Sequence, residues 1–372
     1  MTTESEALKQ AAVEDGAANP FAVAYLQLCQ VGYLPFAQIP SAVASVSPLN
    51  PGGTWRCAWG PAQDPDQSNL VYVATYDYGP RLPVLAVVVI RGTDADINDG
   101  WGIFEQIWED LDVTRQKPLP WPSAGNALVA RGTLDGLGVI EGLTFGGQEV
   151  PAFLTQYLGD PQNGGPVLIV TGHSLGGCLT TVVAPWLQVT LSQKGITSPI
   201  VPVTFAGPTA GNAAFGLFFA ASFPYSLRFF NSLDIVPRAW WDLDGIETIY
   251  KPYGVNVPDL AWIAIVGFKV LMRETGVTYA QPPTNSSPLA GQFNTSVTGW
   301  YEQVGYQHHD ATYMTLLGGA SVRAAWSPPP VVRRVGRSEL QARLGPARLL
   351  VARGDGALTP TGEGSPRSVP PS

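Results

Sequence analysis

The chain has 372 residues, 45% of them hydrophobic and only 13% charged, with a formal net charge of −8 at neutral pH. That length and apolar share suffice for one large domain or two small ones around a substantial core. The charge is uneven: beyond Ser327 seven arginines face only Glu339, Asp355 and Glu363, which leaves the preceding body at −12 and argues against nucleic acid as a partner.

Residues 1–18 form a polar segment with acidic residues where a signal peptide would be basic and then apolar, so no cleaved export signal is expected and a cytoplasmic location is favoured. Asn19 to Tyr33 reads as a helix, with Asn19 as its cap and Pro20 at the first helical position. After a loop rich in Pro, Ser and Gly, strand-like runs are expected at Trp55 to Trp59, Leu70 to Tyr76 and Leu82 to Ile90. The third, Val84 to Ile90, has no polar alternation, as a strand buried on both faces of a parallel sheet requires. It ends in Arg91-Gly92-Thr93-Asp94, where glycine permits a sharp turn and Thr93 offers an N–H and a hydroxyl to a ligand.

Trp101 to Val113 places Phe104, Ile107, Trp108 and Leu111 on one helical face, which fits either a core-facing helix or a lid over an apolar site. The stretch from Gly132 to Gly147 lacks the spacing of a dinucleotide fingerprint and is expected to be turns, with no nucleotide implied.

The most informative run is Pro166-Val-Leu-Ile-Val-Thr-Gly-His-Ser-Leu-Gly-Gly177. A serine on a strained strand-to-helix turn needs small neighbours, and the glycines around Ser174 provide them. The backbone N–H of Leu175, at the amino end of the next helix, would point at a developing oxyanion. Beyond that helix, Ser198 to Phe205 is another apolar strand, and Ser226 to Arg238 gives a further strand that closes on Asp234. Alternating buried strands and helices predict an α/β fold with a mainly parallel sheet, whose functional residues gather at the carboxyl ends of strands.

Of the three histidines, His173 sits inside the turn, where it reads as a spacer, and the others are the adjacent pair His308 and His309. A neutral-pH base for Ser174 must come from that pair. The order Ser174, Asp234, then histidine is that of an α/β-hydrolase triad. Cys29, Cys57 and Cys178 are far apart and odd in number, so they read as buried reduced thiols, with neither a disulfide framework nor a metal spacing. No cofactor and no metal are expected. The apolar run Leu260 to Met272 is too short to span a membrane and carries Lys269, so a buried or interfacial helix is expected there and no transmembrane segment. From Ser327, composition turns to Pro, Arg, Gly and Ser, so 327–372 reads as a disordered tail with room for one short basic helix from Ser338 to Ala352, and an arm that binds a partner or an anionic membrane is the alternative.

These motifs resemble the class 3 lipases, the fungal-lipase-like branch of the α/β-hydrolases. The likeness rests on Val87 to Asp94, Gly172 to Gly177, Thr204-Phe-Ala-Gly-Pro-Thr-Ala-Gly-Asn212, Phe229 to Arg238, and the histidine pair before Tyr313. It implies an α/β-hydrolase domain over 19–326 with a mainly parallel central sheet flanked by helices and a lid or cap within 94–122. It also implies Ser174 as nucleophile, Asp234 as the acid that orients the base, and His308, five residues before Tyr313, in preference to His309 as that base. Thr93 matches the residue whose N–H completes the oxyanion hole with that of Leu175. The implied partner is a lipid or other ester, met through transient contact with a lipid interface, in an acyl pocket drawing on Phe104, Trp108, Trp240, Trp241 and the helix Leu260 to Met272. A short-chain carboxylesterase, a phospholipase and a non-catalytic binding module on the same fold are the alternatives.

Overall fold

The strand β3 (Leu85–Arg91) is buried along its whole length, with Ala86, Val88 and Ile90 on one face of the sheet and Leu85, Val87 and Val89 on the other. Each such side chain contributes roughly 1.5–3 kcal/mol when taken out of water, so both faces must be covered. The computed structural model describes residues 19–79, 85–91, 112–324 and Ser327, and it covers both faces.

β3 lies within a seven-stranded sheet. It pairs antiparallel with β2 (Leu70–Asp77), which pairs antiparallel with the edge strand β1 (Thr54–Gln63). On its other side the sheet is parallel, through β8 (Val167–His173), β9 (Ile200–Phe205), β10 (Leu227–Asn231) and the edge strand β11 (Asn285–Leu289). Two small hairpins lie outside it, β4 (Gln116–Pro118) with β5 (Leu128–Ala130), and β6 (Thr144–Phe145) with β7 (Gln148–Glu149). The expected α/β architecture is therefore present, with an antiparallel extension at one edge.

One face packs on α1 (Pro20–Val31), α2 (Ile39–Val43) and α10 (Asp310–Leu316). Asn19 caps α1, its side chain accepting from the N–H groups of Phe21 and Ala22 at 2.9 and 3.3 Å, as the sequence predicts. The other face packs on α3 (Arg131–Glu141), α4 (Val150–Gly159), α5 (Leu175–Gln193) and α6 (Ala213–Ser222). By length and composition α5 would suffice to cross a bilayer, but it is the buried core helix of this layer.

The expectation of turns over Gly132 to Gly147 is wrong for its first half, because α3 runs through it. The reason is packing: a Cβ at Gly136 would stand 2.9 Å from Leu179 Cδ2, so glycine here lets α3 close against α5 instead of breaking the helix. The thiols also differ from expectation in one case, since Cys29 and Cys178 are buried but Cys57 is half-buried. The edge strand β11, short and carrying Pro288, was not anticipated.

A third apolar cluster stands beyond the carboxyl ends of the parallel strands. It joins Leu233, Ile235, Val236 and Trp240 to α7 (Leu243–Thr248), α8 (Asp259–Thr275) and α9 (Trp300–His308). Helix α8 covers 260–272 as expected, with Ala261, Ala264 and Ile265 buried and Trp262 exposed.

Candidate active site

β8 is apolar on both faces, so hydrophobic patterning alone leaves its register weakly set. Gly172 supplies the missing constraint. It pairs with Ile90 and with Thr204, and a Cβ there would collide with the backbone of Gly176 and lie 2.8 Å from the carbonyl of Ile90. In this register β8 ends at His173 and α5 begins at Leu175, with Ser174 between them. Gly177 faces the carbonyl of Phe205 as closely, with 2.8 Å left for a Cβ, so α5 presses onto β9.

Ser174 takes the turn between β8 and α5 with φ 59° and ψ −127°. A non-glycine residue there carries strain on the order of 1–3 kcal/mol. The surroundings hold it: its N–H donates to Phe205 at 2.9 Å, and its carbonyl accepts from Gly177 and Cys178 at 2.9 and 3.2 Å. Leu175 is the first residue of α5, where backbone N–H groups have no acceptor within the helix and the dipole favours negative charge.

Asp234 lies three residues past the end of β10, in a turn fixed by Asn231. The Asn231 carboxamide oxygen accepts from Leu233 N–H at 3.0 Å, and its NH₂ donates to the carbonyl and side chain of Gln307 at 2.9 and 2.7 Å. That link ties the turn to α9, whose last residue is His308. Asp234 accepts at Oδ1 from Val236 N–H at 2.9 Å, and its Oδ2 lies 2.8 Å from His308 Nδ1. The carboxylate accepts, so Nδ1 carries the proton and Nε2 is left to accept. It faces Ser174 Oγ at 2.8 Å. The three residues, distant in sequence, thus form one continuous chain of hydrogen bonds, with Asp234 and His308 buried.

His309 turns elsewhere. The chain breaks from helix there, with φ −63° and ψ 135°, and its Nδ1 accepts from Ala311 N–H at 3.0 Å as the cap of α10. The break sends Asp310 into the interior, where Arg323 meets it at 2.6 Å. Burial opposes ionisation of Asp310, but Arg323, then His309 and His173, hold it below the usual carboxylate range.

Two groups at the site carry more than sequence reasoning gave them. Tyr313, only a landmark in the sequence, donates its hydroxyl to Asp234 Oδ2 at 2.7 Å. Burial, then the neighbouring Asp234, keeps this phenol protonated by raising its pKa well above the ordinary value. His173 is no bare spacer: it is fully buried, and its Nε2 lies 3.1 Å from the carbonyl of His308. Burial first, then His308, pushes its pKa down from 6.5 to about 3, so it is neutral at physiological pH. The only sequence signal for either was proximity to a motif residue.

Thr93 and the residues Phe104 and Trp108 lie outside the described residues, as do most of the expected lid and all but Ser327 of the tail. Trp240 is buried in the third cluster against Phe268, whereas Trp241 is half exposed. Among the described residues no group of His, Cys, Asp and Glu could hold a metal ion.

Residues 87–242, which include most of β3, the Ser174 turn and Asp234, match the family model for lipase (class 3). Over that stretch, less than half of its length, the chain is similar to the class 3 lipases. Among solved structures the chain is similar to M37 lipase, with a TM-score of 0.67 and 25% identity, covering 83% of this chain and 92% of that one. It is also similar to MDLA from Penicillium cyclopium, at 18% identity, a TM-score of 0.42 and coverage of 64% and 76%. The lipase of Rhizomucor miehei matches at 20% identity, with a TM-score of 0.42 and coverage of 59% and 61%. Comparison with curated protein sequences returns no match.

Proposed function

We propose that this protein is a class 3-type lipase that hydrolyses carboxylic esters of lipids, acylglycerols first among them, through an acyl-enzyme on Ser174. The reading is carried by the hydrogen-bonded line from Asp234 through His308 to Ser174, 2.8 Å at each step. As Ser174 Oγ attacks the acyl carbonyl, His308 Nε2 takes its proton, and the imidazolium is stabilised by the Asp234 carboxylate on its other nitrogen. Leu175 N–H, with Thr93 by resemblance, receives the charge that develops on the carbonyl oxygen. His308 then returns the proton to the leaving alcohol. Water repeats the sequence on the acyl-enzyme and frees Ser174.

A lipid acyl chain is favoured by what surrounds the serine. Leu175 packs against the third apolar cluster, as do Leu260 and Ile263 from α8, so an apolar chain beside the reacting carbonyl meets hydrocarbon. The test is a panel of esters of graded acyl length, dissolved and emulsified, with Ser174→Ala as blank. Turnover should fall in that variant by several orders of magnitude, in the range of about 10³–10⁶-fold. Near-normal hydrolysis by it would sink the assignment. A preference confined to short dissolved esters would replace the lipase reading with that of a carboxylesterase.

A further inference from the structure

We propose that His173 is a positioning residue that sets the separation between Ser174 and His308. The inference rests on the proposed role of those two residues and extends it to a third.

Ser174 ends β8 and His308 ends α9, and the reaction requires their atoms within hydrogen-bond reach. The side chain immediately before the serine spans the gap. A carbonyl only accepts, so the 3.1 Å contact fixes His173 Nε2 as the protonated nitrogen, donating to His308 C=O. That carbonyl belongs to the last turn of α9, where helix geometry provides no internal donor. The His173 ring also lies against the His308 ring, with centroids 5.0 Å apart and planes 35° apart. Backbone and imidazole of the base are therefore held by the same side chain.

The brace is itself held. Tyr33 and Tyr313 meet the His173 ring edge-on at 6.2 and 5.7 Å, and the Tyr33 hydroxyl donates to the His173 carbonyl at 3.4 Å. Stability alone does not account for an imidazole here. Among the described residues its Nδ1 meets no hydrogen-bond partner, and a buried polar atom in that state costs about 1–3 kcal/mol. An apolar ring would avoid that cost but could not donate to His308. Nor would a charged donor serve, since it would stand against the ring that must itself become cationic.

The experiment compares wild type, His173→Leu, His173→Gln and Ser174→Ala on a dissolved p-nitrophenyl ester. Active sites are counted by complete labelling with a fluorophosphonate, and thermal melting is recorded for each. The proposal expects His173→Leu to lose about 10–100-fold in kcat per labelled site, as a misplaced reacting group does. KM should stay within about twofold, since ground-state binding is untouched. The amide N–H of His173→Gln reaches toward the same carbonyl and should recover kcat to within about fivefold of wild type. Wild-type kcat per site in His173→Leu overturns the proposal, as does an equal loss in both variants. If His173→Leu does not fold, His173→Gln decides: a loss of more than about tenfold overturns the inference, a smaller one supports it. Turnover surviving in Ser174→Ala would instead discard the triad reading itself, so the two failures are separable.

Discussion

Tyr313 donates its hydroxyl to the same Asp234 oxygen that faces His308, at 2.7 Å against 2.8 Å, so the acid is oriented from two sides. The phenol oxygen in turn accepts from Asn231 N–H at 3.0 Å, which locks the turn carrying Asp234 onto α10. Tyr313→Phe removes one donor from Asp234 and strands the buried Asn231 N–H. A buried donor left unpaired costs about 1–3 kcal/mol, so denaturant unfolding should show a loss of that size. Turnover should drop by about tenfold as the carboxylate gains freedom. Unchanged stability and unchanged kcat together would remove Tyr313 from the site.

The adjacent histidines divide the work sharply enough to separate by single substitutions. His308→Ala deletes the group between Asp234 and Ser174, and activity should fall by about 10³-fold or more. His309→Ala deletes the side-chain acceptor for Ala311 N–H at the start of α10, and loss of a cap costs about 1 kcal/mol. Its signature is therefore a lowered unfolding midpoint with turnover largely kept. The reverse pattern would exchange their roles.

Much of this was legible in the sequence because the decisive features are local. The apolar run of β3, the glycines around Ser174 and the cap at Asn19 each specify their own geometry, and the fold follows from their alternation. Which of His308 and His309 faces Ser174 was legible only through resemblance, because it depends on the backbone break at His309, which no residue type announces. The turns expected from Gly132 to Gly147 failed for a related reason. Glycine marks a turn in isolation, but Gly136 serves the approach of α3 to Leu179, a contact between residues 43 positions apart that composition does not record. His173 reads as a spacer in the sequence because its partner, a backbone carbonyl of a distant helix, leaves no trace in side-chain patterning.

The glycine before the His173–Ser174 pair offers a test of the turn without touching a reacting group. In Gly172→Ala the added methyl meets the Gly176 backbone and the Ile90 carbonyl, neither of which can move without shifting β3 or α5. Overpacking of this kind costs about 1–3 kcal/mol or more. The variant should unfold at lower denaturant and lose activity per folded molecule, because relief of the clash displaces Ser174. Wild-type stability would show that the turn is looser than its contacts indicate.

Acid should weaken the fold in two separate windows. His173 has its pKa pushed from 6.5 to about 3 by burial and by His308, so the folded state keeps it neutral where the unfolded chain protonates it. Above about pH 6.5 both states are neutral and its contribution is constant. As pH falls below that value the unfolded state binds the extra proton, and stability declines by about 1.4 kcal/mol per pH unit until the folded state protonates as well. Asp310 acts lower down. Burial works against its charge, but Arg323 and the neighbouring histidines outweigh it, so its stabilisation is present above the ordinary carboxylate pKa and is lost as pH falls through its depressed folded value. Denaturant unfolding of wild type and His173→Gln at pH 7, 5.5 and 4.5 isolates the first window. The difference in stability between the two should shift steadily in favour of the variant as pH falls. A pH-independent difference would mean that His173 takes up its proton in the folded state as readily as in the unfolded chain.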